Sequence, residues 1–166
     1  MKKIIFLGLI AVLMAMVTGN SFAGGPTPSW KETEISRQVL LPQKIEVVPP
    51  AKDLPQQIAA FSYRWEGVWG GISLPVVLIV EKIDSATANV IYCCGRSTYT
   101  NKPNYYRYKA KVVPGEKTKI EFSDVGSRAS IKFTFEMGED LKTLHGEYQS
   151  SYSQAKSNVV MKKIED

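Results

Sequence analysis

The sequence predicts an all-β protein, an antiparallel up-and-down barrel of about eight strands. Three observations predict it. From Phe61 onward the apolar residues recur with a period of two, the spacing at which one face of a strand is buried and the other wet. Turn residues interrupt that alternation at short intervals: Gly70-Gly71, Asp84-Ser85, Pro103-Asn104, Pro114-Gly115, and the stretches 124–126, 138–140 and 150–153. Links this short force antiparallel neighbours, because a parallel pair needs a long crossover. A meander of this length exposes two edges unless it closes on itself. An open β-sandwich satisfies the same alternation and stands as the alternative fold.

The 166 residues suffice for one domain, and the net charge of +5 comes from 21 basic against 16 acidic side chains. A single histidine and two cysteines leave too few ligands for a zinc centre rich in His and Cys, and too few sulfurs for a disulfide scaffold.

In chain order, the first element is an address. Lys2 and Lys3 precede an apolar run over 4–17, and Ser21-Phe22-Ala23 ends it with small residues where a signal peptidase reads. The run is shorter than the ~20 residues of a membrane span. Residues 1–23 are therefore expected to be a signal peptide, cleaved after Ala23. The mature protein would be exported, periplasmic or extracellular, and not integral to a membrane. Residues 24–60 carry Pro26, Pro28, Pro42, Pro49, Pro50 and Pro55, which deny the backbone its regular hydrogen bonds. They read as an extended arm, either docked or a mobile linker, with short strands conceivable at 39–41 or 45–48. A helical turn is expected within 53–61, with Asp53 as cap and Pro55 in the first turn.

The barrel domain, residues 61–166, divides into strands at 63–69, 72–83, 87–94, 105–113, 118–123, 128–136, 143–150 and 156–164. The second carries Val76, Val77, Leu78 and Ile79 in succession. It is apolar on both faces and needs an outer cover, from the arm or from a partner subunit.

Gly67-Val68-Trp69, on the first strand just after the expected helical turn, resembles the Gly-x-Trp of the lipocalin and wider calycin barrels. The resemblance implies an up-and-down barrel with the Trp69 indole across its closed floor. Three features depart from true lipocalins: no Thr-Asp-Tyr-like turn, no arginine on the last strand to stack on the indole, and too few residues after Ile164 for a C-terminal helix. The segments 54–61, 65–71, 77–83 and 88–95 together are similar to a loosely defined, uncharacterised family of exported bacterial segments. That likeness supports the barrel and implies no mechanism.

Cys93 and Cys94 are adjacent on the third strand, so their side chains should point to opposite faces. They are expected as two separate thiols, one buried and one near the surface, with a vicinal or an intermolecular disulfide as the alternatives. His145 is expected to be an exposed strand histidine. The carboxylates offer no preferred catalytic pair, and no Gly-rich phosphate loop precedes a helix. Arg107, Lys109, Lys111 and Lys119, with Tyr105 beside them, read as a solvated sheet face. An exported protein rarely meets nucleic acid, so none is expected as a partner, and no cofactor is implied.

These readings converge on an exported, non-enzymatic barrel that binds a small, largely apolar molecule or acts as an envelope interaction module. A hydrolase of unknown substrate and a purely structural or assembly protein are the alternatives. The register turns Trp69, Tyr106, Tyr108, Phe133, Phe135 and Tyr148 inward as the candidate ligand-binding residues, with Tyr92 less firmly placed. Trp69 belongs to the narrow end in this reading. Tyr106, Tyr108 and Tyr148, nearer the open end, would orient a ligand through their hydroxyls.

Overall fold

The computed structural model describes residues 30–96, 101–125, 130–151 and 155–165. The expected leader and the first residues of the arm lie outside that set. Eight strands follow one another: β1 (Tyr63–Trp69), β2 (Leu74–Ile83), β3 (Thr87–Cys94), β4 (Asn104–Val113), β5 (Lys119–Val125), β6 (Ser130–Met137), β7 (Thr143–Ser150) and β8 (Lys156–Ile164). Each pairs antiparallel with the next, and β8 returns to β1 with Arg64 opposite Ile164 and Gly67 opposite Met161. That last pairing closes the sheet, removes its edges and decides between barrel and sandwich. β2 starts at Leu74 rather than at residue 72, because the left-handed backbone of Gly71 (φ 76°) and Ser73 (φ 47°) belongs to the turn. β5 runs on through Asp124 to Val125, where the sequence reads a turn from residue 124.

The inward positions form one continuous core. Trp65, Trp69, Leu78, Ile120, Phe135, Leu144 and Met161 are each at most 1% exposed. Gly146 is part of this packing. A Cβ there would sit 2.5 Å from a Val159 methyl and 2.7 Å from the Phe135 ring, so only glycine lets that ring cross the barrel.

A second, smaller apolar cluster lies outside the barrel. Val77 and Ile79 of β2 and Ile91 and Cys93 of β3 face outward and are buried under Ile45, with Trp30, Ile35, Val39, Leu41 and Val47 packed around them. The arm is thus the cover that the doubly apolar second strand requires. It makes no strand at 39–41 or 45–48. Its regular element is one 3-10 turn, Ser36–Gln38, and its path is pinned by side chains. Thr33 donates to Glu66 at 2.6 Å. Glu66 pairs in turn with Arg64, which donates to the Lys31 carbonyl at 3.3 Å and lies 5.6 Å from the Trp30 ring centre. Farther on, Arg107 pairs with Glu81 and donates to the Lys44 carbonyl, while Glu81 accepts from the Glu46 amide. At Gly95 the Gln38 carbonyl comes within 2.7 Å of where a Cβ would stand; the missing side chain lets the arm cross.

The arm leads into a four-residue helix, α1 (Gln56–Ala59), whose cap is Pro55 and not Asp53. Ile58 and Phe61 enter the core beneath it. Gln57 accepts from Thr118 just before β5, and Ala60 accepts from Lys163 at the end of β8. This end of the barrel is therefore capped. The opposite end, where β1, β3, β5 and β7 finish, carries no such helix among the described residues and is termed the mouth.

Candidate functional site

The aromatic residues of the mouth half come from alternating positions on six strands, and the register brings their rings together. Tyr92 stands opposite Tyr106, Phe122 opposite Phe133, and Phe133 opposite Tyr148. Trp69 packs edge-on to Tyr148 at 5.2 Å and near Phe135 and Phe133 at 6.1 and 6.3 Å. Its indole N–H donates to the Tyr92 hydroxyl at 2.7 Å. Burial pushes the Tyr92 hydroxyl well above the ordinary tyrosine range, with Cys94, Tyr108 and Tyr148 acting on it in the same direction.

A second line of rings leads outward. Phe122 stacks on Phe133 at 5.1 Å, Tyr108 on Phe122 at 4.8 Å, and Tyr106 on Tyr108 at 6.2 Å, with interplanar angles of 23–25°. The line begins in the core and ends in solvent, since Tyr106 is 39% exposed. The backbone pairing of β4 with β5 ends short of these rings. β4 pairs with β5 only from Lys111 opposite Glu121 to Val113 opposite Lys119, three positions at the capped end. The β3–β4, β6–β7 and β7–β8 ladders run over seven or eight. Toward the mouth the described residues of β4 and β5 no longer pair through their backbones, although Phe122 of β5 still stacks on the Tyr108 ring.

Asp124, two residues beyond Phe122 on the inner register of β5, lies opposite Ile131. The Tyr108 hydroxyl is raised by burial and then by the Asp124 carboxylate beside it, so it stays protonated and available to donate. Cys94 faces inward and Cys93 outward under the arm. Both are free, and both are buried. The expectation that one would lie near the surface is corrected, because the arm seals the outer face. Burial raises both thiols, Cys93 to about 12, which leaves them unreactive.

All six expected binding residues therefore face inward, in three environments. Trp69, Phe133 and Phe135 are buried in the packed interior. Tyr108 and Tyr148 are half-buried against it. Tyr106 stands at the opening, its hydroxyl accepting from Asn104 at 3.1 Å. Trp69 is not at the floor. It ends β1 at the mouth side, and the indole next to the cap is that of Trp65, which donates to the Phe61 carbonyl at 2.8 Å. Lys163 of the last strand lies 5.4 Å from the Trp65 ring centre, a cation on the floor indole in place of the absent arginine. Sequence reasoning missed Phe122 and Asp124 as site residues. Their period-two spacing with Ile120 was the available signal, hidden by reading 124–126 as a turn.

The outer face of β5–β8 carries a separate, shallow depression of about 560 Å³ along Glu121, Glu136, His145, Glu147 and Val160. His145 is exposed there. Lys119 and Lys117 both pair with Glu136 at 3.1 Å, and Lys132 pairs with Glu121 at 3.0 Å. Arg107 pairs with Glu81, so the basic residues of this sheet are largely offset by carboxylates. No helix among the described residues is long and apolar enough to cross a membrane.

No family model, no curated protein and no solved structure matches the chain, so the likeness to exported bacterial segments gains no support there. The closed eight-strand meander itself agrees with a lipocalin-like architecture.

Proposed function

We propose that this chain is an exported, non-enzymatic barrel that holds a small, flat, largely apolar molecule at its mouth, against Tyr106, Tyr108 and Tyr148. The observation that carries the reading is the stack from Phe122 through Tyr108 to Tyr106, which reaches solvent beyond the end of the β4–β5 ladder. A half-exposed ring gains roughly 25 cal/mol for each Å² of apolar surface that a bound molecule removes from water. Offset stacking adds about 0.5–1.5 kcal/mol per ring pair. The tyrosine hydroxyls supply the few polar contacts that orient a ligand. The interior behind them is filled by Trp69, Phe133 and Phe135, so the ligand is held in a shallow seat and not swallowed by a deep cup.

The non-enzymatic reading rests on the chemistry around that seat. Its thiol, Cys94, is raised and buried, and His145 stands on the outer face, away from the rings. An assembly role through the apolar β2–β3 face loses its motive, since the arm already covers that face. Export rests on the leader-like sequence of residues 1–23 and is tested by N-terminal sequencing of the exported form: Gly24 is expected, and recovery of Met1 would refute it.

Titration with an uncharged naphthalene-type fluorescent probe tests the binding reading. The native protein should bind it, and Tyr106→Ala and Tyr108→Ala should each weaken binding about tenfold, the loss of one good ring contact. No binding by the native protein, or unchanged binding by both variants, would overturn the reading.

A further inference from the structure

We infer that the molecule held at the mouth carries a positive charge: the seat is built for a flat organic cation such as an aromatic or alkylated ammonium. The inference rests on the mouth-binding reading above and adds the ligand's charge to it. Among the described residues that face the barrel axis in the mouth half, Asp124 is the one with a formally charged side chain. It sits opposite Ile131 and next along the inner register from Phe122. No described residue forms an ion pair with it. The Tyr108 hydroxyl hydrogen-bonds to it, a donor that burial keeps protonated.

Beside this carboxylate is the Tyr108 ring, stacked between Phe122 and the half-exposed Tyr106, whose outer face continues the line into solvent. The ring quadrupole presents negative charge from its faces, and a cation over a tyrosine gains more when it is partly desolvated. A carboxylate at the edge of such a set adds a direct Coulomb attraction, stronger in a half-buried site than in water. An anionic ligand meets the opposite field on both counts. The contrast with the capped end is instructive. There the protein places its own cation, Lys163, over Trp65 and Tyr63 at 5.4 and 5.3 Å. At the mouth the rings and the carboxylate are present and the described residues supply no such cation.

The test compares three naphthalene probes that differ only in the head group: naphthylmethyl-trimethylammonium, the uncharged isostere with tert-butyl in place of trimethylammonio, and naphthylacetate. The native protein should bind the cation roughly tenfold more tightly than the neutral isostere and reject the anion. Asp124→Asn should remove most of the cation's advantage and leave the neutral probe's affinity within about twofold, which also shows that the variant is folded. Equal affinity of cation and neutral isostere for the native protein, or anion binding as tight as the cation's, overturns the charge inference and leaves the mouth reading standing. An advantage undiminished in a folded Asp124→Asn overturns the assignment to Asp124. Failure of all three probes to bind overturns both.

Discussion

The two ends of this barrel are made from the same kinds of residue and finish in opposite states. At the capped end, α1 lies across the opening, Phe61 and Trp65 are fully buried, and Lys163 ties β8 to the helix. At the mouth, Trp69 is just as buried, but the rings beyond it become progressively exposed from Phe122 through Tyr108 to Tyr106. The difference lies in what pairs with each strand end and not in composition. A helix and three turns complete the cap, whereas toward the mouth the β4–β5 ladder stops after three positions among the described residues. Aromatic side chains stabilise a fold where they are enclosed on all sides, and reach solvent where backbone pairing stops short of them.

The largest effect that would sharpen this contrast is on stability. Trp65→Ala removes a fully buried indole, its hydrogen bond to Phe61 and its contact with Lys163, and should cost about 3–5 kcal/mol in urea unfolding. Tyr106→Ala, which loses an exposed ring, should stay within about 1 kcal/mol of the native protein. Equal losses at the two positions would break the distinction between the enclosed end and the end whose rings reach solvent.

A smaller loss is expected where the packing between the two ends is tightest. Gly146→Ala brings a methyl into Phe135 and Val159 and should destabilise by about 1–3 kcal/mol through overpacking. A shift in the thermal midpoint reads it. No change would mean that the core around Phe135 is looser than its contacts imply.

The smallest effect is confined to acid pH and to the capped end. Its β2–β3 and β6–β7 turns use the same device. Asp84 accepts from the amides of Ala86 and Thr87 and from the Thr87 hydroxyl; Asp140 accepts from the amides of Lys142 and Thr143 and from the Thr143 hydroxyl. These bonds hold both carboxyls below their ordinary value of 3.8. A folded-state value that is depressed favours the native state above the unfolded value, and the contribution disappears as pH falls through the depressed one. Stability should therefore decline below about pH 4, and the double variant Asp84→Asn, Asp140→Asn should show a shallower decline there. An unchanged acid limb in that variant would show that these turns do not contribute to it.

The sequence by itself determined the strand count, the antiparallel meander and the inward register. Each of these follows from the two-residue alternation, which is a local property of the chain. β1, β3, β7 and β8 begin and end at the residues the alternation predicts. It also showed that the second strand needed a cover, because Val77 and Ile79 are apolar where a wet face would carry polar residues. Only the tertiary structure decided that the arm is that cover, since the arm's own sequence is irregular and its docking depends on distant partners such as Glu66, Glu81 and Arg107. The closure of β8 on β1, and with it the barrel in place of the sandwich, is likewise a pairing between residues far apart in the chain. The identity of the floor tryptophan was misread for the same reason. Gly67-Val68-Trp69 resembles a floor motif locally, yet α1 closes the end where Trp65 lies. Asp124 and the end of β4–β5 pairing were hidden because a turn-like stretch such as 124–126 does not reveal whether its backbone continues a ladder. That depends on which strands the rest of the molecule brings alongside.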